Sequence, residues 1–241
     1  MPPAKTGGPA STRKPSPEAP GSSGHRQRLR DRFLKAGADA LADYELLELL
    51  LFSALPRRDV KPLAKALLIE FGSFAELIAA EPARLRQTPG VGDSVVAALK
   101  VVEAASHRAL RDRVIGRPAI SSWQALLDYC KVSMQHIKSE QFRILFLDRK
   151  NILIADEIQQ SGTIDHTPVY PREVVRRALD LGASSLILVH NHPSGDPTPS
   201  QQDIATTERV VEAGKPLGIT VHDHVVIGRN GHASFKALGY L

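Results

Sequence analysis

The spacing of apolar residues predicts helices throughout the first half of the chain. Apolar side chains recur every three or four positions in residues 46–51, 60–71 and 74–80. This period places them on one face of a helix, whereas a half-buried strand would show a period of two. Gly72 follows the second segment, at a position where helices commonly end. We therefore predict an all-helical N-terminal region.

The second half of the chain alternates between strand and helix patterns. Helical spacing occurs in residues 123–134 and begins again at Pro171 and at Ser200. Short apolar runs predict strands at 140–147, 151–158, 185–190, 217–227 and 232–236. The turns at 149–151 and 229–231 are short enough to imply antiparallel hairpins. The predicted fold is an α/β sandwich with a mixed sheet, and it is not doubly wound.

Composition separates a tail from two predicted domains. The first 24 residues contain six prolines, four glycines and four serines without apolar periodicity, so we expect them to be disordered. We place a helical domain at residues 25–117 and an α/β domain at residues 118–241. The length of 241 residues is sufficient for two small domains of this kind.

The chain shows no apolar segment typical of export or membrane insertion. The N-terminus lacks the apolar core of a secretory signal, and residues 46–55 are too few to cross a bilayer. The single cysteine, Cys130, argues against a disulfide framework, and we expect it to fill space in the core. We therefore expect a cytoplasmic protein without a membrane partner. The sequence does not indicate an oligomeric state.

The net charge of +5 originates in the N-terminal half. Residues 25–117 hold 16 basic and 12 acidic side chains, whereas residues 118–241 hold 12 basic and 13 acidic ones. Four arginines lie between His25 and Arg32. Such a run can contact the phosphates of a nucleic acid, and it is also typical of a solvated helix start.

Residues 85–108 resemble a helix-hairpin-helix, in which two helices are joined by a tight glycine turn. Gly90 and Gly92 permit the turn, and the amides at the start of the following helix could face a DNA phosphate. Lys100 and Arg108 could add further contacts. Hairpins of this type also pack helices or contact proteins without meeting DNA, and the residues leave both interpretations open.

The run from His190 to Asp203 has the residue types and spacing of a zinc site. Because side chains alternate along a strand, His190 and His192 project to the same side and Asn191 points away. A loop rich in proline and glycine follows, and Asp203 then falls in the first turn of the helix that Ser200 opens. Two imidazoles and one carboxylate form a three-ligand zinc set that leaves a fourth position for water.

The same residues are compatible with other interpretations. Ser200 and Asp203 also match an N-cap followed by an acid in the first turn, a role that they can fill with or without a metal. The consecutive letters His190-Asn191-His192 differ from the HNH nuclease motif, whose residues are dispersed over a ββα unit. The chain lacks His-Glu-x-x-His, and one cysteine cannot supply the cysteine pair of a zinc deaminase.

The spacing His-x-His, seven residues, Ser-x-x-Asp resembles the signature of the JAMM metalloproteases, also called the MPN or JAB family. Pro193-Ser194-Gly195 resembles the RadC branch with its UPF0758-like members. Further RadC-like segments are residues 140–148, 169–173, 223–228 and 234–235. The resemblance covers residues 118–241 and, more loosely, 25–115. It implies a JAMM/MPN domain of the cytidine-deaminase-like type.

The resemblance also implies roles for individual residues. It implies that His190, His192 and Asp203 bind the zinc ion. Ser200 would hydrogen-bond the oxyanion formed at the attacked carbonyl. Glu140 would bind the zinc water and act as general base.

Glu140 has rivals when the residues alone are considered. It begins a predicted strand, where burial could raise its pKa, but a solvent-exposed acid at a strand start is equally compatible with the pattern. Glu157 and Glu173 are the alternative bases. Glu173 also suits the first turn of the helix that Pro171 opens, because an acid stabilises the positive end of the helix dipole.

A second His-x-His occurs at His222-Asp223-His224, with the same strand spacing. No serine or acid follows it at the interval seen after the first pair. We interpret Asp223 and His224 as residues beside the zinc that orient its ligands, because ligating histidines usually need a partner for their second ring nitrogen. A purely structural role is the alternative.

Two hypotheses of function follow. In the first, the protein is a RadC-like zinc metallopeptidase that cleaves a peptide or isopeptide bond of a protein substrate. In the second, it is an accessory protein of DNA repair or recombination that binds DNA through the hairpin, and the zinc domain is structural. A metal-free protein-binding scaffold is a third possibility, against which the complete ligand set argues.

Overall fold

The computed structural model describes residues 22–161 and 169–241 of the chain. Of the predicted disordered tail, residues 1–21 lie outside the described residues, whereas residues 22–24 begin the first helix. The chain divides into two compact units. The N-terminal unit consists of Met1–Leu77 and Pro82–Ala98, and the C-terminal unit consists of Ile78–Glu81 and Leu99–Leu241.

The described part of the N-terminal unit is helical, as the apolar spacing predicted. Its elements are α1 (Ser22–Ala36), α2 (Asp43–Ala54), α3 (Lys61–Phe71), α4 (Phe74–Ala79), α5 (Pro82–Leu85) and α6 (Asp93–Val114), of which α4 and α6 continue into the C-terminal unit. The predicted stripe faces the core of the unit, since Leu47, Leu51 and Leu67 are fully buried. Among the described residues, no helix is long and apolar enough to span a membrane.

The C-terminal unit is an α/β domain with a mixed five-stranded sheet. Its elements are α7 (Trp123–Met134), β1 (Gln141–Leu147), β2 (Leu153–Ser161), α8 (Pro171–Asp180), β3 (Ser185–Asn191), α9 (Gln201–Gly214), β4 (Thr220–Gly228), β5 (Gly231–Ser234) and α10 (Phe235–Leu238). The strand order is β2-β1-β3-β4-β5. Only β3 and β4 are parallel neighbours, and α9 provides the crossover that a parallel pair requires.

Two apolar cores cover the two faces of this sheet. On β3, Ile187 and Val189 belong to the core that contains α7, whereas Leu186 and Leu188 belong to the core that contains residues of α8 and α9. Successive side chains point to opposite faces because the strand period is two. His190 continues the second series, so its ring lies on the α9 side of the sheet.

The last predicted strand, 232–236, was too long. β5 ends at Ser234, whose side-chain oxygen accepts a hydrogen bond from the Ala237 amide at 3.1 Å and so caps α10. A capping serine competes with continuation of the strand because it satisfies an amide that the sheet would otherwise pair. The residues after Ser234 are therefore helical.

Two other strands begin two or three residues later than predicted. β2 starts at Leu153 because Asn151 adopts a positive φ of 59° in the hairpin turn. β4 starts at Thr220 because Lys215–Leu217 forms a 3-10 turn and Gly218 has a φ of 69°. At both places the turn conformation makes the strand shorter than the apolar run in the sequence.

Candidate metal centre

The end of β3 and the start of α9 lie side by side. β3 is buried over its whole length, between β1 and β4. His190, its penultimate residue, has no exposed surface, and His192 follows directly after the strand. Asp203 lies in the first turn of α9, as the sequence predicted. His190 and Asp203 therefore start from the backbone of regular elements, and His192 is the first residue after the strand.

One donor atom from each of His190, His192 and Asp203 converges at this point, all within 4.8 Å of one another. His190 Nε2 lies 3.0 Å from His192 Nε2 and 3.3 Å from Asp203 Oδ1. His192 Nε2 lies 3.5 Å from Asp203 Oδ2. Donor atoms bound tetrahedrally to zinc at about 2.0–2.1 Å stand about 3.3 Å apart. The group could therefore hold a metal ion of this size.

The charges at the site suit a cation. Burial disfavours the ionised Asp203 carboxyl, but hydrogen bonds with His190 and His192 outweigh it and hold the pKa of Asp203 well below its ordinary value. The hydrogen bond with Asp203 raises the pKa of His192, and the charge of Glu140 adds to the rise. Asp203 thus stays ionised, which metal coordination by a carboxylate requires.

Ser200 and Asp203 also form the predicted capping pair at the start of α9. Ser200 Oγ accepts a hydrogen bond from the Asp203 amide at 3.2 Å, while Asp203 Oδ2 accepts one from the Ser200 amide at 2.7 Å. The Ser200 hydroxyl donates to Asp203 Oδ2 at 2.7 Å. The cap fixes the carboxylate in position, since two donors hold the same oxygen.

Glu140 lies directly before β1, at the end of the sheet where the histidines meet. Phe142, two residues later, pairs with His190 in the antiparallel register of β1 and β3. Glu140 is half-buried, and its charge contributes to the raised pKa of His192. The predicted base thus immediately precedes the strand that neighbours the histidine-bearing strand β3.

Asn191 has a role that the sequence did not reveal. Its side chain points away from the two histidines, as expected. It accepts a hydrogen bond from the Gln141 amide and donates to the carbonyl oxygens of Ile137 and Ser139, at 2.9, 3.2 and 3.1 Å. Asn191 therefore holds the backbone on both sides of Glu140. No local signal announces these contacts, because the partners are at least 50 residues away in the chain.

The three residues of the second His-x-His have different surroundings. His224 is buried, and its Nε2 lies 2.7 Å from Nδ1 of His190. Asp223 faces the other side of β4 and accepts hydrogen bonds from the His224 amide and from Ser234 and Lys236 of the C-terminal segment. His222 contacts Asn151 at 2.6 Å. Of the three, His224 contacts a predicted ligand, and Asp223 instead anchors the start of α10.

Thr207, which the sequence analysis did not single out, completes the surroundings of His224. Its Oγ1 lies 2.6 Å from His224 Nδ1 and donates to the Asp203 carbonyl oxygen at 2.6 Å. Thr207 is one helical turn after Asp203, so the two residues share a face of α9. A threonine four residues after a ligand is a weak signal on its own, because threonines bond to such carbonyls in many helices.

The rival acids have other partners. Glu157 binds Arg177, with Arg177 Nε 2.8 Å from Glu157 Oε2, and this hydrogen bond lowers the pKa of Glu157. Glu173 lies in the first turn of α8, as predicted, and accepts a hydrogen bond from Arg176 at 3.0 Å. Arginines thus pair with both rival carboxylates, whereas the charge of Glu140 acts on His192, and this electrostatic link favours Glu140 among the three acids.

The predicted hairpin forms in the N-terminal unit. Gly90 has a positive φ of 92° and lies between α5 and α6, while Gly92 directly precedes α6. Lys100, in the part of α6 that belongs to the C-terminal unit, donates to the Ile78 carbonyl and to Glu103, both at 2.9 Å. Its ammonium group is thus used in internal hydrogen bonds, which weakens its candidacy as a phosphate contact.

A mixed sheet with helices on both faces, and a His-His-Asp group at the junction of a strand and a helix, define a JAB-type domain, a class that is generally hydrolytic. The family model described as RadC-like JAB domain matches residues 120–240, and the one described as UPF0758 N-terminal matches residues 23–97. The chain therefore belongs to the RadC family of UPF0758 proteins.

Two bacterial relatives support this assignment. A UPF0758 protein of Rhodobacter capsulatus is 64% identical over 213 residues, which are 88% of this chain and 100% of the relative. A UPF0758 protein of Ruegeria pomeroyi is 59% identical over 217 residues, which are 90% of this chain and 97% of the relative. The similarity extends over both units, and it confirms the family resemblance predicted from the motifs.

Proposed function

We propose that the protein is a zinc-dependent hydrolase that cleaves a peptide or isopeptide bond in a protein substrate. The observation that carries the proposal is the convergence of His190 Nε2, His192 Nε2 and an Asp203 oxygen at the spacing of zinc ligands. A set of three protein ligands, with imidazole and carboxylate donors, is typical of catalytic rather than structural zinc. The membership of the C-terminal unit in the JAB class supports the same reaction type.

His190, His192 and Asp203 would hold the zinc ion. When bound in such a site, zinc lowers the pKa of a coordinated water to about 7 and polarises a carbonyl group. Glu140 would accept the proton of the attacking water and deliver it to the leaving nitrogen. Because Asn191 fixes the backbone on both sides of Glu140, this carboxylate would stay within reach of the reacting atoms.

Ser200 would stabilise the negative charge that develops on the carbonyl oxygen. Its hydroxyl group has a single hydrogen, which is directed at Asp203 Oδ2 over 2.7 Å. To serve the oxyanion, the hydrogen must rotate toward the substrate. The Ser200 amide would keep its own bond to Asp203 Oδ2, so the carboxylate would remain held during this change.

Zinc content is the first test. About one zinc per chain is expected in the wild-type protein after zinc is offered, and none in a folded His192→Ala variant. His222→Ala provides a matched control, because it removes a histidine from the other His-x-His pair, and its ring contacts Asn151 instead of the ligands. A wild-type protein that takes up no zinc, or a His192→Ala variant that retains it, would contradict the proposal.

Hydrolysis is the second test, with substrates that contain peptide or lysine isopeptide bonds. Glu140→Gln should retain zinc and lose turnover, since it keeps the shape of the side chain and removes its basicity. Zinc retention shows that the variant site is intact. Wild-type turnover in Glu140→Gln would show that another group acts as the base.

DNA binding through the hairpin is the second function we propose to test. The supporting observation is that an Arg58 amino group lies close to Gly90, 3.4 Å from the position a Cβ atom would take there, so the turn carries a guanidinium beside it. Duplex DNA binding that weakens steeply with salt and falls in Arg58→Glu would support this function. Binding that is equal in Arg58→Glu and wild type would argue against a phosphate contact at the hairpin.

A further inference from the structure

Three short contacts form a chain from the ring of one predicted ligand to the backbone of another. His190 Nδ1 lies 2.7 Å from His224 Nε2, and His224 Nδ1 lies 2.6 Å from Thr207 Oγ1. Thr207 Oγ1 lies 2.6 Å from the carbonyl oxygen of Asp203. His190, His224 and Thr207 are all buried, so water does not compete for these bonds.

The direction of each hydrogen bond follows from its chemistry, starting at Asp203. A carbonyl oxygen can only accept, so the single hydroxyl hydrogen of Thr207 points to Asp203. Thr207 Oγ1 must then accept from His224, which places the ring hydrogen of His224 on Nδ1. A neutral imidazole has one such hydrogen, so Nε2 of His224 is an acceptor. His190 must therefore donate from Nδ1, and its lone pair lies on Nε2.

Nε2 is the nitrogen of His190 that faces His192 and Asp203. A ring with its hydrogen on Nε2 would direct that hydrogen at the metal position and could not coordinate through this atom. His192 obtains the same tautomer from its own loop, because its Nδ1 lies 2.8 Å from the carbonyl oxygen of Asp196. Both rings thus present Nε2 to the metal position. The partner that orients His192 is four residues away in the chain, and the partner that orients His190 is 34 residues away.

The His224 ring is also held mechanically. It stacks on Phe235, with ring centroids 4.5 Å apart, and makes an edge contact with Phe142 at 5.4 Å. Phe142 stacks on His190 at 6.0 Å as well. Because these aromatic rings prevent His224 from turning, its two nitrogens stay aligned with His190 on one side and Thr207 on the other.

We infer that Thr207 and His224 are positioning residues that set the tautomer and orientation of His190, so that Nε2 is presented to the metal. The inference deepens the proposed function and rests on the same ligand set. It adds a threonine on α9 and a histidine on β4 to the residues on which zinc binding depends. The series of hydrogen bonds ends at the Asp203 carbonyl oxygen, so it connects the ring of His190 to the backbone of Asp203.

Zinc affinity, measured by competition with a chromophoric chelator, tests the inference without any substrate. Thr207→Val removes the hydroxyl and keeps the shape, and we expect it to weaken zinc binding about 10- to 100-fold, as loss of such partners typically does. Thr207→Ser keeps the hydroxyl and should bind zinc nearly as tightly as wild type. Thr206→Val is the matched control, since Thr206 is also buried but contacts Arg209 instead of His224. Equal affinity in Thr207→Val and wild type would overturn the inference.

The tautomers can be read directly from the nitrogen chemical shifts of the full-length wild-type protein. We expect the ring hydrogen on Nδ1 in both His190 and His224. A hydrogen on Nε2 of His224 would overturn the inference with or without zinc, and so would a hydrogen on Nε2 of His190 in the zinc-loaded protein, whether or not Thr207→Val folds. A protein could show the expected tautomer in both rings and the expected dependence of zinc affinity on Thr207, yet hydrolyse no substrate. This outcome would contradict the proposed function and would still support the positioning roles.

Discussion

Asn191 accepts a hydrogen bond from the backbone amide of Gln141 across 2.9 Å, although 50 residues separate them. The same side chain donates to two carbonyl groups just before β1. Its neighbours His190 and His192 belong to the candidate metal centre. The side chains of three consecutive residues therefore point in two directions. His190 and His192 are directed at the candidate metal centre, and Asn191 is directed at the segment that carries Glu140.

Asn191→Ala should destabilise this segment and leave the metal ligands in place. The substitution leaves one amide and two carbonyl groups without their partner, and buried groups in this state cost about 1–3 kcal/mol each. We expect a lower free energy of unfolding in urea and faster hydrogen exchange at the Gln141 amide. Ser139→Ala, which keeps the backbone carbonyl, is the control. An unchanged exchange rate at Gln141 would show that Asn191 does not hold the segment.

Ser200→Ala should lower stability by about 1 kcal/mol, because the N-cap of α9 loses its acceptor for the Asp203 amide. Ser200 is exposed, so little packing is lost with the hydroxyl. Ser200→Thr should restore most of the difference, since threonine also caps. Urea unfolding of the zinc-free proteins measures the effect without contributions from the metal. Equal stability of the alanine variant and wild type would contradict the capping role.

Gly228→Ala should displace the loop that holds His192. A Cβ atom at Gly228 would stand 2.4 Å from the Gly195 carbonyl oxygen and 2.9 Å from Pro197, so the loop must move. The neighbouring Asp196 carbonyl is the partner of His192 Nδ1. We expect a loss of stability of about 1–3 kcal/mol, as for other overpacked sites, and weaker zinc binding.

Gly231→Ala is the control for that prediction. Gly231 lies in the same hairpin, and a Cβ atom there meets nothing within 4 Å. Thermal unfolding and chelator competition on both variants separate the effect of the loop from a general effect of alanine in the hairpin. Wild-type zinc affinity in Gly228→Ala would show that the loop does not determine the position of His192.

Stability should decrease at alkaline pH because of Cys130. Burial, with the nearby charge of Asp156, raises the pKa of the native thiol to about 12. In the unfolded chain the thiol ionises near pH 8.5, so above that pH the unfolded state binds fewer protons and becomes relatively more stable. The contribution of Cys130 is complete below about pH 8.5 and is lost progressively as the pH rises toward 12.

The Cys130→Ala variant provides the measurement. Its free energy of unfolding should be lower than that of wild type at neutral pH, because a buried side chain is shortened, and should fall less steeply between neutral pH and about pH 10. Other groups titrate equally in both proteins, so the difference in slope isolates the thiol. Parallel pH profiles would contradict a protonated native thiol.

The convergence of the three candidate ligands was predictable from local geometry. His190 and His192 are two residues apart on an extended backbone, and Asp203 lies in a helical turn opened by Ser200; each of these relations depends only on neighbouring residues. Apolar periodicity likewise predicted α7 to the residue, and the shortness of the turns at 149–151 and 229–231 predicted the two antiparallel hairpins. The strand predicted at 232–236 forms but ends at Ser234, because a capping bond at this residue outweighed the strand propensity of the residues that follow.

The sequence indicated His224 as a residue beside the candidate ligands, but it did not show which ring His224 contacts, and it did not indicate Thr207. His224 is 34 residues from His190, and it meets that ring because β3 and β4 pair in parallel with a particular register. Thr207 reaches His224 across the packing of α9 on the sheet. The sequence by itself determined which side chains alternate on a strand or share a turn of helix, since those distances are set by the backbone over a few residues. Only the tertiary structure decided which strands became neighbours and in what register, because that choice depends on how two apolar cores pack around the whole sheet.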